Sequence, residues 1–308
     1  MRIEVGLCTV GRSSLAHTLR ALSAQTRKPD LLILANQGPP DVRAIVSAEY
    51  EGECTFIQQN VRGLSRARNA VLEAFAGEWL MWVDDDEEPA PDWVRQLETV
   101  ADSHPESAFI AGPMIPPLQI ESGQYIEELY AAGDSLLDIE NFLKPIGNVP
   151  GLVYDCWGGN MSFRSDLIEA VGGFDNELGA GAKEFSKAED TDYVLRALTK
   201  GFKGLLTPRV NIYHTYGARP KPTDQEGEQI RCNATLIWKS RKDPSLIHPE
   251  LSRRLEPYSR RRLLLATLTG GAVGGAHKTS HDLIQKVCDD LDQRFELKDG
   301  CLAPKGKA

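Results

Sequence analysis

The sequence has no pair of cysteines at metal-binding or redox spacing. Its six cysteines are scattered through 308 residues without a Cys-x-x-Cys motif, which excludes a zinc ribbon and a small disulfide scaffold. The chain also lacks an apolar run of membrane-spanning length, and its N-terminus becomes polar too early for a signal peptide. These absences predict reduced thiols and a cytoplasmic protein, at most peripheral to the cytoplasmic membrane.

An excess of basic residues is also missing. The chain has 35 Lys and Arg against 44 Asp and Glu, and its formal net charge is -9. Broad binding to nucleic acid phosphates requires the opposite balance. We therefore expect no nucleic acid partner. The length allows one large α/β domain or two smaller ones.

Strands alternate with helices through the first hundred residues. Ile3, Val5 and Leu7 alternate as in a strand, and Ser13 or Ser14 can begin the helix that follows. Further strands are predicted at 31–35, 55–57 and 79–83, and further helices at 42–50 and 64–76. This order is typical of an α/β fold with a mostly parallel sheet, whose ligand sites lie at the carboxyl ends of the strands.

The second part of the chain is less regular. Residues 112–151 are rich in proline and glycine, and they are followed by a predicted strand near Met161, helices at 165–171 and 187–200, and a strand at 205–212. The remaining residues are mainly helical. We predict a domain at 1–225, with a donor half at about 1–112 and an acceptor half at about 113–225, and a helical C-terminal extension at 226–308.

Three successive carboxylates directly follow the strand at 79–83. Asp84, Asp85 and Asp86 would repel one another without a cation. A hard divalent ion such as Mg²⁺ or Mn²⁺ binds one or two carboxylates and completes its shell with diphosphate oxygens and water. Asp84 and Asp86 have the Asp-x-Asp spacing that suits such an ion. The alternative is an acidic loop or helix start, because Glu87, Glu88 and Pro89 come next.

Five segments carry a resemblance to a known family. In chain order they are TVGR, GLSRARNAVLEAFAGEWLMWVDDDEEP, GGNMSFR, GGFD and AEDTDYVLRA. Over about residues 1–215 this order resembles family 2 glycosyltransferases of the GT-A fold, a Rossmann-like nucleotide-binding fold with a mixed, mostly parallel sheet. The resemblance implies inverting transfer of a sugar from a nucleotide diphosphate donor to a hydroxyl of a glycan, lipid-linked or other acceptor, with Mn²⁺ or Mg²⁺. It also implies a role in glycan or polysaccharide biosynthesis.

The same resemblance implies donor-binding positions. Asp86 would be the direct metal ligand, with Asp84 and Asp85 near the ribose, the diphosphate or the sugar. The other donor-binding positions are Thr9, Arg12, Arg66 and Asn69. For the helix that carries Arg66 and Arg68, a solvated basic face is an equally good interpretation.

One segment departs from the family pattern. Many members carry an aspartate after the second strand, whereas here the chain reads Ala35-Asn36-Gln37-Gly38. Asn36 or Gln37 could bind a base edge, because an amide both donates and accepts hydrogen bonds. A turn over 36–39 is the alternative.

Inverting transfer requires a general base for the acceptor hydroxyl. Asp190 lies in the first turn of a predicted helix, where the macrodipole favours a carboxylate. The resemblance makes Asp190 the base, with Glu189 as its acidic neighbour. The alternative for Glu189 is a capping box with Ser186, and both roles can coexist. We expect Asp192 to face solvent.

The acceptor side is predicted around residues 157–160. The resemblance places Gly158, Gly159 and Asn160 beneath the donor sugar and the acceptor, and Trp157 could stack on a sugar face. An ordinary turn and a core tryptophan are the alternatives. The resemblance also makes His214 a second metal ligand, whereas a lone histidine can equally be a surface residue.

A basic and apolar segment lies near the C-terminus. Residues 259–268 contain three arginines followed by three leucines, a pattern that suits peripheral contact with an anionic membrane. A core-packing helix with a solvated basic rim is the favoured alternative.

Two other functions are considered for the chain as a whole. One is a catalytically inactive carbohydrate- or nucleotide-binding protein of the same fold. The other is a sugar nucleotidyltransferase, although the segment TVGRSS has little glycine for the N-terminal loop of that class.

Overall fold

The chain forms two compact units. The computed structural model describes residues 1–39, 41–115, 133–139, 158–214, 225–255 and 275–306. Unit 1 comprises Met1–Gly173 and Gly201–Arg219, and unit 2 comprises Phe174–Lys200 and Pro220–Ala308. This division differs from the predicted one, because residues 174–200 group with the C-terminal segment rather than with the acceptor half.

Unit 1 begins with four parallel strands and their connecting helices. In chain order these elements are β1 (Ile3–Thr9), α1 (Leu15–Ser23), β2 (Leu31–Asn36), α2 (Arg43–Glu49), β3 (Cys54–Gln58), α3 (Leu64–Ala74) and β4 (Trp79–Asp84). β1 pairs with β2 and β4, and β2 pairs with β3. Every residue of β1 is buried, as expected for a strand covered on both faces. The strands predicted from apolar runs are confirmed.

The rest of unit 1 completes a mixed sheet. Its elements are β5 (Glu88–Pro89), α4 (Trp93–Ser103), β6 (Ser107–Ala111), β7 (Met114–Ile115), β8 (Ser135–Leu137), β9 (Met161–Arg164), α5 (Ser165–Val171), β10 (Lys203–Leu206) and β11 (Ile212–Tyr213). The large sheet has the order β3-β2-β1-β4-β9-β6-β10-β8. β9 is antiparallel to both β4 and β6, and β8 is antiparallel to β10. The predicted mixed, mostly parallel sheet is confirmed.

A small second sheet joins β5, β11 and β7. The single strand predicted at 205–212 is wrong, because β10 belongs to the large sheet and β11 to the small one. Pro208 lies between them, and proline has no N–H group to continue a strand ladder. β11 is antiparallel to β5, which directly follows the acidic residues at 84–87.

The described part of unit 2 is mainly helical, and it also contains a hairpin that was not predicted. Its elements are α6 (Glu189–Thr199), α7 (Gln225–Lys242), α8 (Pro249–Leu255), α9 (Gly275–Arg294), β12 (Phe295–Lys298) and β13 (Cys301–Pro304). Asp299 and Gly300, at φ 51° and 80°, form the two-residue loop between the strands. Asp-Gly is a strong hairpin signal because both loop positions require positive φ.

The structure bears only in part on the membrane hypothesis. Among the residues that the structure describes, none of the helices has both the length and the apolar character needed to cross a membrane. The basic and apolar segment at 259–268 lies outside the described residues.

Candidate functional site

The carboxyl ends of β1 and β4 bring Thr9 and Arg12 together with the three aspartates. The two strands are parallel neighbours, and Cys8 pairs in register with Asp84. Thr9, the last residue of β1, therefore lies beside the acidic turn formed by residues 84–87. Apolar strand residues before this point are buried, and the polar residues follow where the strands end.

Asp85 is held by two side chains from the end of β1. The Thr9 hydroxyl donates to Asp85 Oδ2 at 2.6 Å, and Arg12 Nη1 donates to Oδ1 at 2.6 Å. Arg12 Nη1 also lies 3.3 Å from Asp86 Oδ2. Asp85 is only 2 % exposed. The family resemblance implies donor binding by Thr9 and Arg12, which stays a prediction; the structure shows that both side chains fix the central carboxylate of the turn.

Asp84 is the most accessible of the three aspartates. Its side chain is 36 % exposed, and its Oδ1 lies 3.9 Å from Arg68 Nη2. Burial of the carboxyl raises the pKa of Asp84, the adjacent carboxylates of Asp86 and Asp85 raise it further, and Arg68 opposes the shift. The aspartates thus retain mutual repulsion that a further cation would relieve.

Arg68 is a site residue that the sequence did not identify. It lies on α3 with a side chain only 2 % exposed, and its guanidinium carbon is 5.7 Å from the centre of the Trp82 ring. A solvated face is therefore wrong for Arg68, whereas Arg66 is exposed. The signal was its spacing, because Arg68 lies three residues after the buried Ser65 and three before the buried Val71.

Glu87 was also missed, since five consecutive acidic residues look alike in sequence. The residue is fully buried, and its Oε2 accepts a hydrogen bond from the Asp84 N–H at 2.9 Å. Its Oε1 has no hydrogen-bond partner among the described residues. Burial, and then the Asp84 carboxylate, raise the pKa of Glu87 well above its usual range.

This arrangement predicts different results for two substitutions of Glu87. Glu87→Gln keeps an acceptor for the Asp84 N–H and cannot take up the charge that burial disfavours, so it should lower the free energy of unfolding less than Glu87→Ala does. Glu87→Ala leaves that N–H unsatisfied and should lower it by about 1–3 kcal/mol. Chemical denaturation of both variants would measure the difference. Equal destabilisation by both substitutions would contradict the argument.

Two glycines leave room for these buried side chains. Gly158 and Gly159 form a 3₁₀ turn before β9. A Cβ atom on Gly158 would overlap the Arg68 guanidinium, and one on Gly159 would overlap the Glu87 carboxylate. The close approach expected of these glycines is thus made by protein side chains, and their predicted contact with an acceptor stays a prediction.

The side chain of Asn160 is committed to the protein. It is 1 % exposed; its amide nitrogen donates to the carbonyl oxygens of Pro113 and Val210 at 3.0 and 2.9 Å, and its oxygen accepts from Trp93 Nε1 at 2.9 Å. Its predicted acceptor role also stays a prediction. Trp157 lies outside the described residues.

The segment after β2 forms a turn. Asn36 is fully buried, its Oδ1 accepts from the Gly38 N–H at 3.3 Å, and its amide nitrogen donates to Gln58 Oε1 at 3.1 Å. Gln37 Oε1 accepts from the Gly63 N–H at 2.7 Å, which connects this turn to the start of α3. These contacts match the turn interpretation, and base binding by Asn36 is untested.

His214 and Asn69 belong to the same unit as the acidic turn. β11 pairs Tyr213 with Glu88, so His214 continues that strand towards the level of Glu87. Its N–H donates to the Ile115 carbonyl at 3.0 Å. Asn69 follows Arg68 on α3 and approaches Gly173. Their predicted roles in metal and donor binding remain predictions.

The acidic turn has suitable chemistry for a hard divalent cation. Among the described residues, no three His, Cys, Asp or Glu side chains are arranged to enclose a metal. Mg²⁺ and Mn²⁺ do not require such a group, because they bind one or two carboxylates and take other ligands from diphosphate and water. The exposed Asp84 carboxylate fits this mode.

Asp190 and Glu189 lie at the start of α6 in unit 2. The predicted capping box is wrong: the helix begins after Ala188, which makes no side-chain cap, and Ser186 instead bonds to Glu228. Asp190 Oδ1 accepts from the Thr191 N–H at 2.7 Å. Asp192 is fully buried, so the expectation that it faces solvent is also wrong.

Two curated relatives have glycan-related names. The chain is 22 % identical over 204 residues to a glucosyl-dolichyl phosphate glucuronosyltransferase of Haloferax volcanii, a match that covers 64 % of this chain and 63 % of the relative. It is 31 % identical over 122 residues to the succinoglycan biosynthesis protein ExoM of Rhizobium meliloti, covering 37 % and 39 %. The chain therefore spans less than two thirds of the length of either relative.

Solved structures share the fold. The mannosyltransferase PcManGT from Pyrobaculum calidifontis, in complex with GDP-Man and Mn²⁺, has a TM-score of 0.53 and 16 % identity over 95 % of this chain and 87 % of its own. S. aureus TarS 1–349, in complex with UDP, has a TM-score of 0.56 and 15 % identity over 99 % and 96 %. At these identities the likeness shows the GT-A fold alone.

The family is shown by a sequence model. The model described as glycosyl transferase family 2 matches residues 6–172, which is more than half of the chain and includes the acidic turn, Arg68 and the two glycines. The expected family resemblance is confirmed, and this chain belongs to glycosyl transferase family 2.

Proposed function

We propose that the protein is an inverting glycosyltransferase that moves a sugar from a nucleotide diphosphate to an acceptor hydroxyl in glycan or polysaccharide biosynthesis. The observation that carries this proposal is the acidic turn at the end of β4, in which Asp85 is fixed by Thr9 and Arg12 while Asp84 stays accessible. Membership of glycosyl transferase family 2 supports the same reaction.

A divalent cation suits the charge of this turn. Asp84, Asp85 and Asp86 face two guanidinium groups, those of Arg12 and Arg68, so negative charge remains even when Glu87 is protonated. We assign Asp86 and Asp84 as the residues that hold Mn²⁺ or Mg²⁺, with diphosphate oxygens and water completing the shell. His214 as a further ligand stays a prediction, because no three described His, Cys, Asp or Glu side chains are arranged around a metal. When bound, the cation would neutralise charge on the leaving diphosphate.

The general base is Asp190 in this proposal, with Glu189 beside it. Both lie in the first turn of α6, where the positive end of the helix dipole attracts a carboxylate. The carboxylate would take the proton of the acceptor hydroxyl as that oxygen attacks the anomeric carbon, opposite the departing diphosphate.

The acceptor is assigned by class. The relatives named for dolichyl phosphate and succinoglycan support a lipid-linked sugar or a growing glycan. Trp157, Gly158 and Gly159 are the proposed acceptor contacts. Asn160 would support these contacts indirectly. The hydrogen bonds that its side-chain amide donates to Pro113 and Val210 fix the backbone directly after the two glycines.

A panel of nucleotide sugars tests the proposal. UDP-, GDP-, dTDP- and CMP-sugars would be incubated with the protein, with and without Mn²⁺ or Mg²⁺, and nucleotide release would be measured. We expect metal-dependent release from one donor, because such enzymes slowly hydrolyse their donor without an acceptor. Absence of release and of metal-dependent nucleotide binding across the panel would favour an inactive binding protein instead.

A further inference from the structure

A cluster of four charged side chains lies inside unit 2. Lys239 of α7 is 2.6 Å from Asp175 Oδ2, and its Nζ donates to Asp192 Oδ1 at 2.7 Å. Arg196 Nε donates to Asp192 Oδ2 at 2.9 Å. The buried cluster, as we call Asp175, Asp192, Arg196 and Lys239, thus connects α6 to α7 and to the start of unit 2.

The buried cluster is charge-balanced and excluded from water. Its two carboxylates and two cations are each at most 1 % exposed. Asp175 also accepts hydrogen bonds from the Glu177 N–H at 2.9 Å and from the Leu302 N–H at 2.8 Å. A buried charge without a partner is costly, so each member is confined to the position where its partners are satisfied.

Helical geometry relates this cluster to Asp190. Successive residues of an α-helix are separated by about 100°, so Asp190 and Asp192 point about 200° apart around α6. Asp192 is clamped inward by Lys239 and Arg196, and Asp190 is correspondingly directed to the opposite side, where it is partly exposed. The inward clamp therefore fixes the rotation of the first turn of α6.

The backbone before this turn is also constrained. Ala188 has φ 74°, in the left-handed region that is unfavourable for a residue with a Cβ. A residue stays in this conformation only where surrounding contacts hold it there. Here one such contact is the hydrogen bond that the Asp192 N–H donates to the Ala188 carbonyl at 2.8 Å. Asp192 thus stabilises the start of α6 through both its backbone and its side chain.

We propose that Lys239 is a positioning residue for the reaction: by holding Asp192 it fixes the direction of Asp190 at the start of α6. This inference rests on the proposed base, and it assigns a task to a helix beyond the family-matched residues 6–172. Lys239 acts through Asp192 and has no contact with substrate in this role.

The test compares two lysines of the same helix. Lys239→Met removes the buried cation, whereas Lys242→Met removes an ion pair with Asp292 in which both side chains are 47 % exposed. Hydrogen–deuterium exchange of the full chain would report on α6, and nucleotide release from the donor found in the panel would report kcat and KM. If Lys239→Met fails to fold, the double variant Asp175→Asn/Lys239→Met restores charge balance in the buried cluster.

For Lys239→Met we expect exchange in α6 to rise about tenfold, kcat to fall about tenfold to a hundredfold, and KM for the donor to stay within about twofold. Lys242→Met should match the parent protein in exchange, kcat and KM.

Unchanged exchange in α6, or faster exchange with a normal kcat, would overturn the proposal. If the parent protein releases no nucleotide from any donor, the proposed function fails, and the exchange result alone decides whether Lys239 holds this turn.

Discussion

Asp190→Asn should severely slow sugar transfer while leaving donor binding intact. Asparagine keeps the shape of the side chain and can still accept from the Thr191 N–H, but it cannot take a proton from the acceptor at neutral pH. Loss of a general base typically lowers the rate by about 10²- to 10⁴-fold. Steady-state kinetics with the donor found in the panel, and calorimetric titration with its nucleotide, would separate catalysis from binding.

A matched control is available for this substitution. Asp166 also lies in the first turn of a helix, α5, but its side chain is 52 % exposed and pairs with Arg164. Asp166→Asn should leave kcat unchanged. If Asp190→Asn turned over normally while Glu189→Gln did not, the base would be the neighbouring carboxylate; normal rates in both variants would defeat the assignment to α6.

Asp86→Ala should remove the metal-dependent part of nucleotide binding. Removal of a group that merely supports a metal ligand costs about 10- to 100-fold in affinity, so loss of a direct ligand should cost about a hundredfold or more. Arg12 keeps its shorter contact with Asp85, at 2.6 Å, and the turn should remain folded. Titration with UDP or GDP, in Mn²⁺ and in EDTA, measures both parts of the binding.

The control for Asp86→Ala is Asp102→Ala, which changes an exposed aspartate on α4. It should bind nucleotide as the parent protein does in both conditions. In EDTA, Asp86→Ala and the parent protein should also bind alike, because the substitution acts through the cation. Equal Mn²⁺-dependent affinity in Asp86→Ala and the parent would rule out Asp86 as a ligand.

The sequence was informative where structure is determined by local pattern. The apolar run at 79–83 predicts β4 because a strand buried on both faces needs apolar residues throughout. The strand ends at Asp84 because the apolar residues give way to charged ones there. The same rule fails at 205–212, where two apolar segments flank Pro208 and belong to different sheets. A sequence pattern does not state which sheet a strand joins.

The different burial and contacts of the carboxylates in the acidic turn could not be predicted from the sequence. Consecutive carboxylates have no periodicity, so nothing local distinguishes the buried Asp85 from the accessible Asp84 or from Glu87, which bonds back to the backbone. These differences depend on Thr9 and Arg68, which come from other strands and helices.

The burial of Lys239 was even harder to predict from the local sequence. This lysine stands in the run Lys239-Ser240-Arg241-Lys242, which is typical of a solvated helix end. Its partner Asp192 is 47 residues earlier, and the pairing exists only in the folded unit. Buried ion pairs are therefore poorly predicted from composition, because the same residues are usually exposed.

The hydrogen bond from Leu302 to Asp175 has a consequence for synthesis on the ribosome. The two residues are 127 positions apart, and chains leave the ribosome from the N-terminus. Residues 174–200 leave the ribosome before Lys239 and before the hairpin that contains Leu302, so at that point Asp175 and Asp192 lack these partners. Unit 2 can therefore complete its buried cluster only after residue 302 has left the ribosome.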